Sequence, residues 1–520
     1  MTMLSTFHGG MRLTGHKHTS TAQPIAQLGL PGRLTLPLQQ HIGSHAEILV
    51  AVGDRVLKGQ PLTKPAGYVS AAIHAPSSGT ISAIDAQPIP HPSGLSAICI
   101  AIDTDGKDEW IEHHGAQNYR ALSPADCRNR VRQAGIVGLG GATFPTSVKM
   151  NSAGQRINTL IINGAECEPY ISCDDVLMRE RAVDVILGAD ILLHALDAPN
   201  CLIAVEDNKP EAIAALRAAL QTTSQTHQLG AINVVAIPAL YPTGGEKQLI
   251  KVLTGKEVPS HGLPAEIGLV MQNVGTAAAV CRAICHGEPL ISRIVTVTGE
   301  AVPQPQNLEV LIGTPMTQLI EHCGGYGDAN RLIMGGPMMG FALQTDELPV
   351  TKACNCLLLQ HIPQPAAPMP CIRCGECTLV CPANLLPQQL YWHASSKNFD
   401  QVQDYHLFDC IECGCCSQVC PSHIPLVHYY RFAKTEIWHQ ETEKRKADHA
   451  RGRHDFRSAR LEREKIEREE TLRKKKELLA QKSSATSGAE DDPKKAAIAA
   501  AMARVKAKKD LETGDTHVEK

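Results

Sequence analysis

The sequence predicts a multidomain chain of α/β and β architecture, followed by a helical cysteine-rich domain and a charged tail. Three observations carry this. The first hundred residues show short apolar runs broken by Gly, Asp and Pro, which is the pattern of hairpins in a small β domain. From about residue 120, strand-like and helix-like apolar segments alternate, the mark of an α/β unit with a largely parallel sheet. Eight cysteines then fall into two identical blocks, Cys371-Cys374-Cys377-Cys381 before Pro382 and Cys410-Cys413-Cys416-Cys420 before Pro421.

Composition bounds the class. With 520 residues the chain is long enough for several domains, and 43% hydrophobic content is ample for real cores. A net charge of −3 argues against a generic nucleic-acid binder. Met1 to Ser20 contains no apolar stretch of signal-peptide type. Outside the two blocks the cysteines are scattered, a usage that fits a reducing cytoplasm. The most apolar long segment, Val183 to Leu196, is interrupted by Asp184, Asp190 and His194, so no transmembrane helix is expected.

The elements follow in order. Ile48 to Val52, Gly53 to Leu62, and Ile73 to Ile81 read as the strands of a small sandwich. This region resembles a biotinyl/lipoyl-type barrel-sandwich hybrid. The family's modification lysine is missing from the corresponding hairpin, Gly67-Tyr68-Val69-Ser70-Ala71, so a scaffold role is expected over 1–115. Over 116–290, Leu160–Asn163, Leu202–Val205 and Ile232–Ile237 read as buried strands, and Asp175–Ala195 and Pro210–Leu220 as helices. Over 291–362, two strands (Ile294–Gly299 and Leu308–Gly313) and a helix (Met316–Cys323) suit a β-grasp module. Four prolines between Pro363 and Pro370 read as a stiff linker into the cysteine-rich domain, 363–432. Over 433–520 the chain is dense in Glu, Lys and Arg: a solvated helix or a partly disordered tail. A break is expected at Ser483–Asp492. The basic, alanine-rich Lys494–Lys509 reads as a helix, either plainly solvated or lying on an anionic membrane surface.

Each cysteine block reads C-x2-C-x2-C-x3-C-P, the bacterial ferredoxin run for paired [4Fe–4S] clusters. Three thiolates two residues apart can curl around one cubane, whereas the fourth ligates the other cluster. The expected ligand sets are therefore Cys371, Cys374, Cys377 and Cys420 for one cluster, and Cys381, Cys410, Cys413 and Cys416 for the other. Structural zinc and disulfides are the competing readings; two full four-cysteine blocks each closed by proline favour iron–sulfur clusters. Cys415 breaks no spacing and reads as a bystander.

Four polar or glycine-rich loops form a second set of candidates: Gly138-Leu139-Gly140-Gly141-Ala142-Thr143-Phe144, Asn163-Gly164-Ala165-Glu166-Cys167-Glu168, Tyr241-Pro242-Thr243-Gly244-Gly245-Glu246 and Gln272-Asn273-Val274-Gly275-Thr276. Glycines let backbone N–H groups approach phosphates or a flat ring. In α/β sheets such loops converge at the carboxyl ends of strands, where ligands sit. The first loop lacks the third glycine of a dinucleotide fingerprint, so that reading is disfavoured.

These loops resemble those of the NADH-binding flavoprotein subunit of respiratory complex I, with departures at Leu139, Ala165 and Gly245. The resemblance implies that Gly138, Gly140, Gly141, Lys149, Asn163, Glu166, Gly244 and Asn273 contact FMN, and that Phe144 and Glu168 help seat NAD(H). The whole order of modules, about residues 5 to 435, resembles the C-subunit of Rnf-type ion-translocating electron transport complexes. That resemblance implies electron transfer between FMN and two [4Fe–4S] clusters, with no side chain acting as a covalent catalyst. It further implies membrane-embedded and Fe–S or flavin partner subunits, soluble ferredoxin as a possible acceptor, and a peripheral place on the cytoplasmic face of the bacterial inner membrane. Two alternatives stand beside it: a soluble NADH:ferredoxin oxidoreductase subunit, and an electron-transfer adaptor whose flavin domain is empty.

Overall fold

A computed structural model describes residues 4–151, 154–362, 367–484 and 493–512. It divides into two compact units, one ending at Thr435 and one beginning at Glu436.

The first unit opens with a four-stranded antiparallel sheet in the order Arg33–Pro37, Ser96–Thr104, Gly79–Pro88, Arg55–Val56, beside the two-stranded ribbon of Glu47–Ile48 and Thr63–Lys64. Alternation explains its core. Leu34 and Leu36 on one strand, and Ile100 and Ile102 on the next, point to one face and are fully buried.

Next comes a sheet of four parallel strands in the order Ala231–Ile237, Asn200–Glu206, Thr159–Gly164, Leu269–Asn273. Leu160, Ile161 and Ile162 are all buried, as expected of a strand covered on both faces. Because all four strands run the same way, their carboxyl ends share one edge. The strand Leu269–Asn273 lies where the sequence suggested a loop beginning at Gln272. The expected single helix over Asp175–Ala195 is two, Cys173–Glu180 and Ala182–Leu196. The break falls at Arg181, whose guanidinium leaves the helix to pair with Glu309.

Helix Ala182–Leu196 is buried nearly all round, which explains its apolar run without any membrane. It packs on helix Val274–Cys281, and at Gly188 the approach is so close that a Cβ would lie 1.8 Å from the Ala277 carbonyl oxygen. That contact fixes the helix whose first turn carries the Asn273–Thr276 loop.

The third module is a six-stranded mixed sheet in the order Ala26–Gln27, Gln306–Leu311, Ser292–Thr298, Cys356–Gln360, Arg331–Met334, Phe341–Ala342, with helix Met316–His322 against it. The Ala26–Gln27 strand comes from the N-terminal segment, so this sheet draws on chain well before residue 291. Short helices Glu376–Leu379, Pro387–Ser395, Phe399–Asp404 and Cys415–Gln418 carry the cysteine-rich region. Residues 363–366 of the expected linker lie outside the described residues.

Helix Leu426–Ser484 begins in the first unit and forms most of the second. From residue 438 onward its side chains are almost all exposed, and pairs such as Arg460–Glu464 and Arg473–Glu477 give it the i,i+4 support expected of a solvated helix. Helix Pro493–Glu512 exposes Ile498, Met502 and Val505. Most of the expected break at 483–492 lies outside the described residues. Among the described residues no helix is long and apolar enough to cross a membrane.

Gly188→Ala should destabilise the first unit by about 1–3 kcal/mol through overpacking. Denaturant unfolding of the purified chain measures it; an unchanged midpoint would show that the two helices are not held at this distance.

Candidate functional site

The four candidate loops meet at the carboxyl edge of the parallel sheet. The Gly138 N–H donates to the Phe144 carbonyl at 2.8 Å, closing the glycine loop on itself. Leu139 N–H donates to Thr276 Oγ1 at 2.9 Å, tying this loop to the one after the last strand. A Cβ on Gly140 would touch Asn273 Cβ at 3.4 Å, whereas Gly141, at φ +109°, faces open space. Asn273 caps its own helix by accepting from Gly275 N–H and donates to Asp174 at 2.6 Å. Asn163 Nδ2 donates to the Gly244 carbonyl at 2.9 Å, linking the other two loops. Lys149 pairs with Glu246 at 2.8 Å.

Beneath these loops lies a charged knot. The Glu166 carboxylate accepts from Asp174 N–H at 2.7 Å and Asp175 N–H at 3.3 Å. Lys17, arriving from the N-terminal arm, donates to the carbonyls of Glu166, Glu168 and Ile171 and sits 3.6 Å from the Glu166 carboxylate. Burial pushes the Glu166 carboxyl up to about 7, with Asp174 adding to the shift and the Lys17 ammonium opposing it. Glu168 points elsewhere: it accepts from Met338 and Met339 N–H at 3.2 and 2.8 Å, in a turn of the six-stranded module. Its carboxyl is pushed up to about 7 by burial, which outweighs those two donors. Arg293, also from that module, is buried and donates to the carbonyls of Lys352 and Leu139.

The donor inventory suits a flavin phosphate and ribityl chain: an open glycine cradle at Gly141, a half-exposed cation at Lys149, and two buried polar atoms beside the loops, Thr146 Oγ1 and Gln272 Nε2, that have no hydrogen-bond partner.

The eight block cysteines line two cavities. Cys371, Cys374, Cys377 and Cys420 line one, with Tyr391 and Trp392. Cys381, Cys410, Cys413 and Cys416 line the other, with Leu390 and Tyr430. Four convergent thiols per cavity is the donor set a four-iron cluster requires. In each block the backbone makes the same left-handed excursions, at Arg373 and Glu412 (φ +60° and +58°) and at Gly375 and Gly414 (φ +84° and +82°). Cys381 Sγ accepts from Leu385 N–H and Cys410 Sγ from Glu412 N–H, both at 3.4 Å. The cavities differ in exposure: Cys374 is exposed, whereas Cys381, Cys413 and Cys416 are buried. Cys415 lies outside both linings and packs beside Tyr241 and Cys413.

The second cavity touches the loop cluster. The buried Tyr241 hydroxyl donates to the Cys413 carbonyl at 2.6 Å. Gly414 is equally constrained, since a Cβ there would lie 2.8 Å from the Met338 carbonyl oxygen. Nothing in the sequence marked Lys17, Asp174 and Arg293 as site residues, since they arrive from distant chain segments or lie outside any motif; Tyr241 opens one of the candidate loops, but its bond to Cys413 was not legible.

Comparison with known proteins gives four family matches: the RnfC barrel sandwich hybrid domain over residues 5–107, the Nuo51 FMN-binding domain over 131–282, the SLBB domain over 294–342 and the 4Fe-4S dicluster domain over 370–424. The chain is 52% identical over 473 residues to the C-subunit of the ion-translocating oxidoreductase complex of Pseudomonas aeruginosa, covering 90% of this chain and 60% of that protein. It is 52% identical to the corresponding protein of Edwardsiella ictaluri, covering 89% and 58%. It is 47% identical to that of Salmonella gallinarum, covering 97% and 73%. The chain thus spans about 60% of the length of the first two relatives.

Glu168 yields a pH signature. Its carboxyl rises from 4.5 to about 7 on folding, so folding takes up a proton between those values. The stability it contributes is present below pH 4.5 and is lost as pH rises through 7. Between pH 4.5 and 8 the stability of Glu168→Gln relative to the unsubstituted chain should rise by about 3 kcal/mol. Denaturant unfolding at both pH values measures this; parallel pH profiles would contradict it.

Proposed function

The chain belongs to the C-subunit family of ion-translocating oxidoreductase complexes, and from that premise we propose that it is the peripheral electron-transfer subunit of such a complex. It passes electrons between NAD(H) and ferredoxin or another acceptor, while membrane-embedded partner subunits move the ion. Those partners hold it at the cytoplasmic face of the inner membrane.

The observation that carries this reading is the buried contact between Tyr241, next to the Gly244 turn, and Cys413 in the second cysteine block. It puts a flavin-type loop cluster and a two-cavity cysteine wire in one packed body. When bound, FMN supplies the exchange between hydride and single electrons, and the clusters supply one-electron carriage. The protein's part is to hold and to insulate. Gly140 and Gly141 offer backbone donors, Gly138 closes the loop by donating to the Phe144 carbonyl, Lys149 offers a cation to the phosphate, and Asn163, Glu166, Gly244 and Asn273 fix the loops around the ring. Phe144 would help seat the nicotinamide, whereas both oxygens of Glu168 are taken by Met338 and Met339 N–H. Cys371, Cys374, Cys377 and Cys420 would hold one cluster and Cys381, Cys410, Cys413 and Cys416 the other.

One observation favours the adaptor reading with an empty flavin domain: the amides of Asn163 and Asn273 and the Lys149 ammonium already have protein partners. Anaerobic purification followed by iron, sulfide and flavin assays separates the two. The proposal expects about eight irons per chain, bound flavin, and bleaching of the clusters by NADH. Full iron without flavin or NADH bleaching supports the adaptor; four irons or zinc contradicts both. Cys420→Ser should weaken the cluster of Cys371, Cys374 and Cys377, and Cys381→Ser that of Cys410, Cys413 and Cys416, because each fourth cysteine completes the other block's cluster; each variant losing its own block's cluster instead would refute the crossed ligation.

A further inference from the structure

The two cysteine blocks are halves of one internal repeat. Cys371 matches Cys410, Arg373 matches Glu412 and Gly375 matches Gly414, and the short helices Glu376–Leu379 and Cys415–Gln418 follow in step. Asn384 and His423 share the left-handed region at φ +54° and +53°. Helices then start at Pro387 and Leu426. In this register Tyr391 matches Tyr430, Trp392 matches Arg431, and Ser395 matches Lys434.

The scaffold repeats but its charges do not. In the first half Arg373 stacks over the Trp392 ring at 5.2 Å, and Ser395 is exposed and bonds only its own helix. In the second half Lys434 is buried, with 7% of its surface exposed. Its Nζ donates to the Cys410 carbonyl at 2.7 Å and to Glu412 at 2.8 Å. Glu412 does not cancel this cation, because its other oxygen takes the Arg431 guanidinium at 2.8 Å. The trio carries net positive charge, and its innermost member is bonded to the backbone of a block cysteine.

We propose that Lys434 is a potential-setting residue: it raises the reduction potential of the cluster held by Cys381, Cys410, Cys413 and Cys416, and so makes the two clusters of the repeat unequal. The proposal rests on the cluster assignment given above. A four-iron cluster gains one negative charge when it takes up one electron, and a fixed cation nearby favours that state. Burial strengthens the effect, because the interaction is weakly screened where water is excluded. The ammonium cannot drift, since a carbonyl and a carboxylate hold it.

The test is an anaerobic redox titration of the full chain followed by electron paramagnetic resonance, using dithionite and mediators and no NADH. In Lys434→Met one cluster midpoint should fall and the other stay. A tenfold change in the electron's distribution between the clusters, about 59 mV for a one-electron couple, is the expected scale. Lys434→Arg should restore the original midpoint, which a merely structural role would not require. Glu412→Gln keeps the lysine and removes its counter-charge, so the same midpoint should rise; Lys434→Gln, neutral but still able to donate a hydrogen bond to the Cys410 carbonyl, should lower it and decides the matter if Lys434→Met loses iron. Full iron with unmoved midpoints, or equal shifts of both clusters, overturns the role of Lys434 while leaving the cluster assignment standing. A chain that binds no iron overturns the assignment and this proposal together.

Discussion

The fold depends on an N-terminal arm that staples the loop cluster to the cysteine-rich region. Ser5 N–H bonds the Val252 carbonyl, Gly10 N–H bonds the Val380 carbonyl, and Met11 pairs with Tyr241 in both directions. Gly9 passes so close to the second region that a Cβ would lie 2.6 Å from the Val380 backbone. Further along, Lys17 gathers three carbonyls of the Glu166 loop. Tyr241 is where these ties converge: its backbone is held by the arm, and its hydroxyl reaches Cys413. Electron transfer falls off steeply with distance, so the electron path proposed above requires a rigid junction at this point.

Charge is handled by burial with compensation. Glu166, Asp174 and Asp175 cluster under the loops, and burial raises the carboxyls of Glu166 and Asp174 toward the neutral form. Lys17 moderates this repulsion; Lys209 and Glu206, both almost fully buried and 2.7 Å apart, pair nearby. A buried pair of this kind adds little stability by itself but is costly to break. The same economy recurs beside Cys410, where Arg431, Glu412 and Lys434 form a chain of ion pairs.

Much of this was legible in the sequence. The cysteine blocks were readable because ligation by a cubane imposes a short, fixed spacing, and the loops because glycine and polar residues cluster after apolar runs. The strands Thr159–Gly164 and Asn200–Glu206 announced themselves by continuous apolar runs. What could not be read was long-range. Lys17 lies far from Glu166 in sequence, and the Ala26–Gln27 strand joins a sheet built mostly from residues after 291. The break at Arg181 was hidden because the residue its guanidinium pairs with, Glu309, sits in another module. Leu139 and Gly245 depart from the complex I-like pattern, yet the backbone of Leu139 is still held, by Thr276 and Arg293.

Stopped-flow reduction tests whether electrons cross at the Tyr241 junction. Anaerobic chain loaded with flavin and iron is mixed with NADH, and flavin and cluster absorbance are followed separately in the unsubstituted chain and in Tyr241→Phe. A junction at Tyr241 predicts equal flavin and iron content, equal flavin reduction, and slower cluster bleaching in Tyr241→Phe. Cluster bleaching at the same rate in both would contradict it, and would place the path between the two regions elsewhere.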